Sequence, residues 1–162
     1  MYCEAFAVCR RGRLPNKPRT KLLRVLHKIL VSSIYSTVPD SSRVIYCKKK
    51  KNTIVSILNV PGVFEIPIAI KKQINKFDAF IALGCIIKGK TPHFDLISSS
   101  CFDAILKISI SFNKPIGNGI ITALNIKQAK ERCGLIKSNK PNKGDEAAQA
   151  ILSILNNVPK KI

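Results

Sequence analysis

The sequence predicts a three-layer α/β/α sandwich around a four-stranded parallel sheet. Three observations lead there: short runs that are apolar throughout, stripes of apolar residues at helical spacing, and a regular alternation of the two along the chain. The runs are 29–32, 53–58, 79–87 and 116–122, the third reading Ala79-Phe80-Ile81-Ala82-Leu83-Gly84-Cys85-Ile86-Ile87. Unbroken apolar character, rather than polar alternation, marks strands covered on both faces, as in a parallel sheet.

Between the runs lie the helices. Ile66, Ala69, Ile70, Ile74 and Phe77 recur at three- and four-residue spacing, with Pro67 tolerable in a first turn. Residues 95–112 repeat the pattern through Ile97, Cys101, Ala104, Ile105, Ile108 and Phe112, and Asn113-Lys114-Pro115 closes it. A short helix is expected over 126–133, stopped by Gly134, and a final one over 145–156 carrying Ala147, Ala148, Ile151, Leu152 and Leu155. Residues 36–52 hold Pro39, an Asp40-Ser41-Ser42 cluster and Lys48-Lys49-Lys50-Lys51, which leaves room for only a short first helix.

With 162 residues and 46% hydrophobic content, the chain can bury one core without metals or disulfides. Residues 1–24 are basic and hold Pro15 and Pro18; they are set apart as an extension, and 25–158 as the domain. Six cysteines without CxxC pairs or metal spacing read as reduced thiols packed among apolar neighbours, a cytoplasmic pattern. The longest apolar run, 79–87, falls far short of the ~20 residues that cross a bilayer, so no membrane is involved. A net charge of +19, from 28 basic and 9 acidic residues, attracts phosphate in any form and does not by itself choose the partner.

In an open parallel sheet, ligands bind beyond the carboxyl ends of the strands, where loops lead into helix N-termini. Three segments qualify: Val60-Pro61-Gly62-Val63-Phe64-Glu65, the loop 88–95, and the loop after the fourth strand. The loop Lys88-Gly89-Lys90-Thr91-Pro92-His93-Phe94-Asp95 has the makings of an anion site: two lysines, a hydroxyl, and a glycine that lets backbone come close. His93 adds an imidazole that can carry protons in both directions. Each residue also has a plainer reading. The lysines solvate a surface, Glu65 complements a helix dipole, Phe64 staples a helix start, and Arg132 sits near a helix C-terminus.

Taken in order, five segments resemble one family. They are Val60-Pro61-Gly62-Val63-Phe64-Glu65-Ile66-Pro67; Ala82-Leu83-Gly84-Cys85-Ile86-Ile87-Lys88-Gly89-Lys90-Thr91-Pro92-His93-Phe94-Asp95; Gly117-Asn118-Gly119-Ile120-Ile121-Thr122; Gln128-Ala129-Lys130-Glu131-Arg132; and Asn142-Lys143-Gly144-Asp145-Glu146-Ala147-Ala148. Together they are similar to lumazine synthases across roughly the last hundred residues.

The resemblance implies a flavodoxin-like fold and a transferase of riboflavin biosynthesis. Such an enzyme condenses 5-amino-6-(D-ribitylamino)uracil with 3,4-dihydroxy-2-butanone 4-phosphate, without metal or organic cofactor. It implies His93 as proton donor and acceptor, and Lys90, Thr91 and Arg132 as ligands of the butanone phosphate, with Lys137 or Lys140 as an added phosphate contact. It implies Tyr35, Val63, Phe64, Glu65, Cys85, Ile86, Ile87 and Asn118 around the ribitylaminouracil, Asn118 being contributed from an adjoining subunit. It further implies a homopentamer, or an assembly of pentamers, with active sites between subunits, and riboflavin synthase as a partner. Lys88 stands where arginine is common, which keeps the charge and loses the fork.

Two other readings compete. One is a basic nucleic-acid-binding module resting on Arg10-Arg11-Gly12-Arg13 and Lys48-Lys49-Lys50-Lys51, disfavoured because those runs lack interleaved aromatics. The other is a shell-forming homologue with weakened catalysis.

Overall fold

A computed structural model of the chain describes residues 3–8, 27–34, 53–136, 139 and 141–156. Its strands are β1 (Cys3–Val8), β2 (His27–Ile34), β3 (Thr53–Ser56), β4 (Ala79–Ile87) and β5 (Ile116–Ala123). Its helices are α1 (Ile66–Gln73), α2 (His93–Ser111), α3 (Ile126–Arg132) and α4 (Lys143–Asn156), with 3-10 turns at Val63–Glu65 and Ile74–Lys76 flanking α1. This is an α/β fold with parallel strands: β2 pairs in parallel with β3 and with β4, and β4 with β5 along its whole length.

Four strands were expected; among the described residues the sheet has five, in the order β1-β3-β2-β4-β5. The additional strand, β1, runs antiparallel with ladders to both β2 and β4, and lies within the segment set apart as an extension. Its sequence CEAFAV is short and, apart from Glu4, without charge. Its partners are remote in sequence, so local pattern gives no sign of them. β3 stops at Ser56, short of the expected Leu58, and Ile57 is exposed. The short first helix expected within 36–52 lies outside the described residues.

Successive residues of a strand point to opposite faces, and β4 and β5 show which helices cover which face. A Cβ added at Gly84 would meet Val63 Cγ2 at 2.9 Å and Ile66 Cδ1 at 3.6 Å, so the Val63–Glu65 turn and α1 lie on that face. A Cβ at Gly117 would meet the Ala147 carbonyl oxygen at 2.6 Å, and one at Gly119 would collide with Leu83, so α4 packs on the other face against a strip bare of side chains. α3 joins α4 there, through a cluster of Cys85, Ile121, Ala123, Ala129 and Cys133. α2 covers the first face, where the Cys101 thiol donates to the Val63 carbonyl at 3.2 Å. Phe80, Ile66, Ile70 and Ile151 are fully buried in the main core, each contributing about 1.5–3 kcal/mol by leaving water.

The helix ends follow local chemistry. α2 closes at Asn113, whose φ of 47° is left-handed, and the Lys114 N–H donates back to the Ser109 carbonyl at 3.0 Å. Pro115 then prevents the helix from resuming. α3 starts at a reciprocal cap: Asn125 Oδ1 accepts from the Gln128 N–H at 3.0 Å, and Gln128 Oε1 accepts from the Leu124 N–H at 2.9 Å. It ends at Gly134, with φ of 72°.

Candidate active site

Two candidate segments meet at the carboxyl end of β4. Parallel pairing sets Ile87 opposite Ala123, and the Lys88 N–H donates to the Ala123 carbonyl at 2.8 Å, closing the last rung between β4 and β5. Beyond that rung, Lys88, Gly89, Lys90, Thr91 and Pro92 are exposed, and α2 begins at His93, itself exposed. The sequence pattern set the start of this helix at Asp95. It begins earlier because the Pro92 carbonyl already accepts from the Asp95 N–H at 3.0 Å and the Leu96 N–H at 3.2 Å.

With no side-chain cap at Pro92, the positive end of the α2 dipole faces the loop, a setting that favours an anion. Lys88 Nζ lies 3.5 Å from Asp95 Oδ2 and 5.6 Å from the centre of the Phe94 ring, so its charge is shared across the same turn. His93 thus stands at the junction of a cationic loop and a helix N-terminus.

The Val63–Glu65 turn approaches from the sheet face shared with α2. Val63 is buried, Phe64 is 60% exposed and Glu65 is half-buried. Phe64, Glu65 and Ile68 line an open cleft of about 420 Å³ with Ser100, Cys101 and Ala104 of α2. Burial first, and the Glu65 carboxylate second, push the Cys101 thiol up to about 12. It therefore stays protonated and serves as a hydrogen-bond donor to Val63 rather than as a nucleophile. Cys85 and Ile86 are buried and Ile87 half-buried, so their backbone is what the site can use.

Arg132, the last residue of α3, has its guanidinium engaged within the elbow between α3 and α4. Nη1 donates to the Pro141 carbonyl at 2.7 Å, and Nη2 lies 3.2 Å and 3.4 Å from the two carboxylate oxygens of Glu146. Lys143 Nζ reaches the same carboxylate at 2.9 Å. The hydrogen bond from Lys143 is the main cause that holds the Glu146 carboxyl below its ordinary 4.5, against some desolvation, with the charges of Lys143 and Arg132 adding to it.

Asn142 fastens the elbow. Its Nδ2 donates to the Cys133 carbonyl at 3.1 Å and its Oδ1 accepts from the Gly144 N–H at 2.9 Å.

Asn118 lies within β5 opposite Ala82, away from the strand's carboxyl end, and its Oδ1 accepts from the Ile120 N–H at 3.0 Å. Tyr35, Lys137 and Lys140 lie outside the described residues. Sequence reasoning passed over Glu146 and Lys143; the one available signal was their spacing, a basic residue three positions before an acidic one at a helix start. Among the described residues, His, Cys, Asp and Glu form no group of three able to hold a metal ion, and no helix is long and apolar enough to cross a membrane.

Comparison with known proteins adds to this geometry. Residues 30–158 match the family described as 6,7-dimethyl-8-ribityllumazine synthase. The chain is 43% identical over 110 residues to the 6,7-dimethyl-8-ribityllumazine synthase of Campylobacter jejuni subsp. doylei, covering 67% of this chain and 68% of that protein. It is 41% identical over 104 residues to the protein of that name from Campylobacter curvus, covering 63% and 65% of the two chains. It is 41% identical over 103 residues to that of Aliarcobacter butzleri, covering 62% and 64%. The aligned stretch thus spans about two thirds of the length of these relatives.

Proposed function

Since this chain belongs to the 6,7-dimethyl-8-ribityllumazine synthase family, we propose that it catalyses the reaction for which that family is named. It condenses 5-amino-6-(D-ribitylamino)uracil with 3,4-dihydroxy-2-butanone 4-phosphate, releasing 6,7-dimethyl-8-ribityllumazine, phosphate and water in riboflavin biosynthesis. The observation that carries the proposal is His93 opening α2 directly behind the exposed loop 88–92 at the carboxyl end of β4.

In this reading His93 moves protons during imine formation and phosphate elimination, and Lys90, Thr91 and Arg132 hold the phosphate. Val63, Phe64, Glu65 and the backbone of Cys85, Ile86 and Ile87 receive the ribitylaminouracil, with Tyr35 stacked on its ring and Asn118 supplied by an adjoining subunit. Elimination and ring closure call for charge neutralisation, a proton carrier and enforced proximity more than for a strong nucleophile.

The active assembly is a homopentamer or a larger particle built from pentamers, a reading supported by large apolar side chains on the surface, among them Phe64 at 60%, Leu96 at 65% and Ile110 at 72% exposed. The domain is 25–158, built on a flavodoxin-like sheet whose four parallel strands are β2, β3, β4 and β5. Cytoplasmic residence suits Cys85, Cys101 and Cys133, which stand outside any disulfide, and riboflavin synthase, which consumes the product, is the natural partner.

The test is to incubate the purified protein with both substrates and follow the lumazine optically. Product formation is expected. Assembled protein that makes none contradicts the proposal, and tight, salt-sensitive oligonucleotide binding in the same preparation favours a nucleic-acid role instead.

A further inference from the structure

We infer that Glu146 is a positioning residue whose carboxylate holds the Arg132 guanidinium in the orientation from which it meets the substrate phosphate. The inference rests on the phosphate role proposed for Arg132 above. Two separate nitrogens of Arg132 are tied down: Nη1 by the Pro141 carbonyl at 2.7 Å and Nη2 by the Glu146 carboxylate at 3.2 Å. Two points fix the plane of a guanidinium, whereas one would leave it free to swing. The group carries five N–H donors, more than Pro141 and Glu146 consume, so a bound anion can still be met.

Glu146 stands on a rigid base. It lies in the first turn of α4, where its own N–H donates to the Asn142 carbonyl at 3.1 Å. Asn142 in turn bonds the Cys133 carbonyl at the end of α3 and the Gly144 N–H at the start of α4. The helix that carries Arg132 and the helix that carries its partner are thereby locked at one angle.

Lys143 completes the arrangement by holding Glu146 from the other side at 2.9 Å. Two cations around one carboxylate leave the group net positive, so Glu146 orients Arg132 without cancelling its attraction for phosphate. Ordering a long side chain before the ligand arrives removes that ordering from the cost of binding.

The test uses the full-length protein and inorganic phosphate as probe, with calorimetric affinities for the wild type, E146Q, E146D, R132Q and the R132Q/E146Q double variant. Thermal melts confirm that each is folded, and steady-state kinetics run alongside. E146Q is expected to bind phosphate roughly tenfold more weakly, the scale on which removing the partner of a binding group acts. Its KM for the phosphorylated substrate should rise more than its kcat falls, E146D should recover part of the loss, and E146Q should cost nothing further in the R132Q background.

Phosphate binding in E146Q equal to or tighter than wild type overturns the inference, because a carboxylate that merely repelled the anion would act in that direction. An equal loss in the R132Q background also overturns it, as does a wild type that binds no phosphate. If E146Q does not fold, E146D and the R132Q/E146D double variant carry the same comparison. A wild type that makes lumazine while E146Q binds phosphate normally leaves the proposed reaction standing and removes the role of Glu146. A wild type that makes no lumazine while E146Q weakens phosphate binding does the reverse.

Discussion

At the end of β4, His93 and the loop before it are held chiefly by backbone, one rung from Lys88 to Ala123 and then the start of α2, with only the exposed Lys88–Asp95 pair beside them. At the elbow between α3 and α4, Arg132 is held by a side chain as well as by backbone: Glu146 and the Pro141 carbonyl both bind its guanidinium, and Lys143 and Asn142 complete a half-buried network. On the roles proposed above, His93 as a proton carrier profits from an exposed place at a helix start, and Arg132 as a phosphate ligand profits from being aimed in advance. The difference implies that substitutions at the loop should show in rate with little effect on folding, while those at the elbow should show in both.

The largest expected effect tests the loop. His93→Ala should reduce lumazine formation by about 10²–10⁴-fold, the usual contribution of a positioned general acid–base, while the melting temperature stays close to wild type. A drop in rate that tracks a drop in melting temperature would place His93 in the framework instead.

Next comes the elbow. Arg132→Lys keeps the charge and loses the fork, so KM for the phosphorylated substrate should rise by roughly 10- to 100-fold, since charge-assisted hydrogen bonds contribute about 1.5–3 kcal/mol. Unchanged KM would mean that charge alone suffices there.

Acid titration separates the two regions more gently. The Glu146 carboxyl is held below 4.5 in the folded chain, so the folded state takes up its proton less readily than the unfolded one. The stabilisation is therefore fully present above 4.5 and is lost as pH falls through the lower folded value. Melting temperatures of wild type and Glu146→Gln should differ above pH 5 and converge below that window, and a constant difference across it would contradict the network.

The smallest effect belongs to Lys88. Its pair with Asp95 is 45% and 62% exposed, so Lys88→Ala should change stability by less than about 1 kcal/mol, measured by denaturant unfolding.

What could be read from the sequence divides along the same line. Asn113 before Pro115, Gly134 after α3 and the apolar run of β4 are local signals, and each matches the element found there. Gly117 and Gly119 carried no such message, because Gly117 lets α4 come close and Gly119 makes room for Leu83 of β4, and both neighbours are many residues away in sequence. The pairing of Arg132 with Glu146 spans 14 residues and a change of helix, so no periodicity announces it. Pro92 concealed the start of α2, since its carbonyl begins the helix without a polar side chain to mark the cap. The antiparallel strand β1 was missed for want of any local trace of its partners. Of the candidate site, the cationic loop and His93 were visible as chemistry, whereas the elbow that fixes Arg132 existed only once the chain was folded.

The most direct measurement is the stoichiometry of inorganic phosphate released to lumazine formed, followed in one reaction mixture of wild-type protein and both substrates. One phosphate per lumazine, with both falling together in His93→Ala, is the predicted result. Assembled protein that releases neither, or releases phosphate without lumazine, would contradict it.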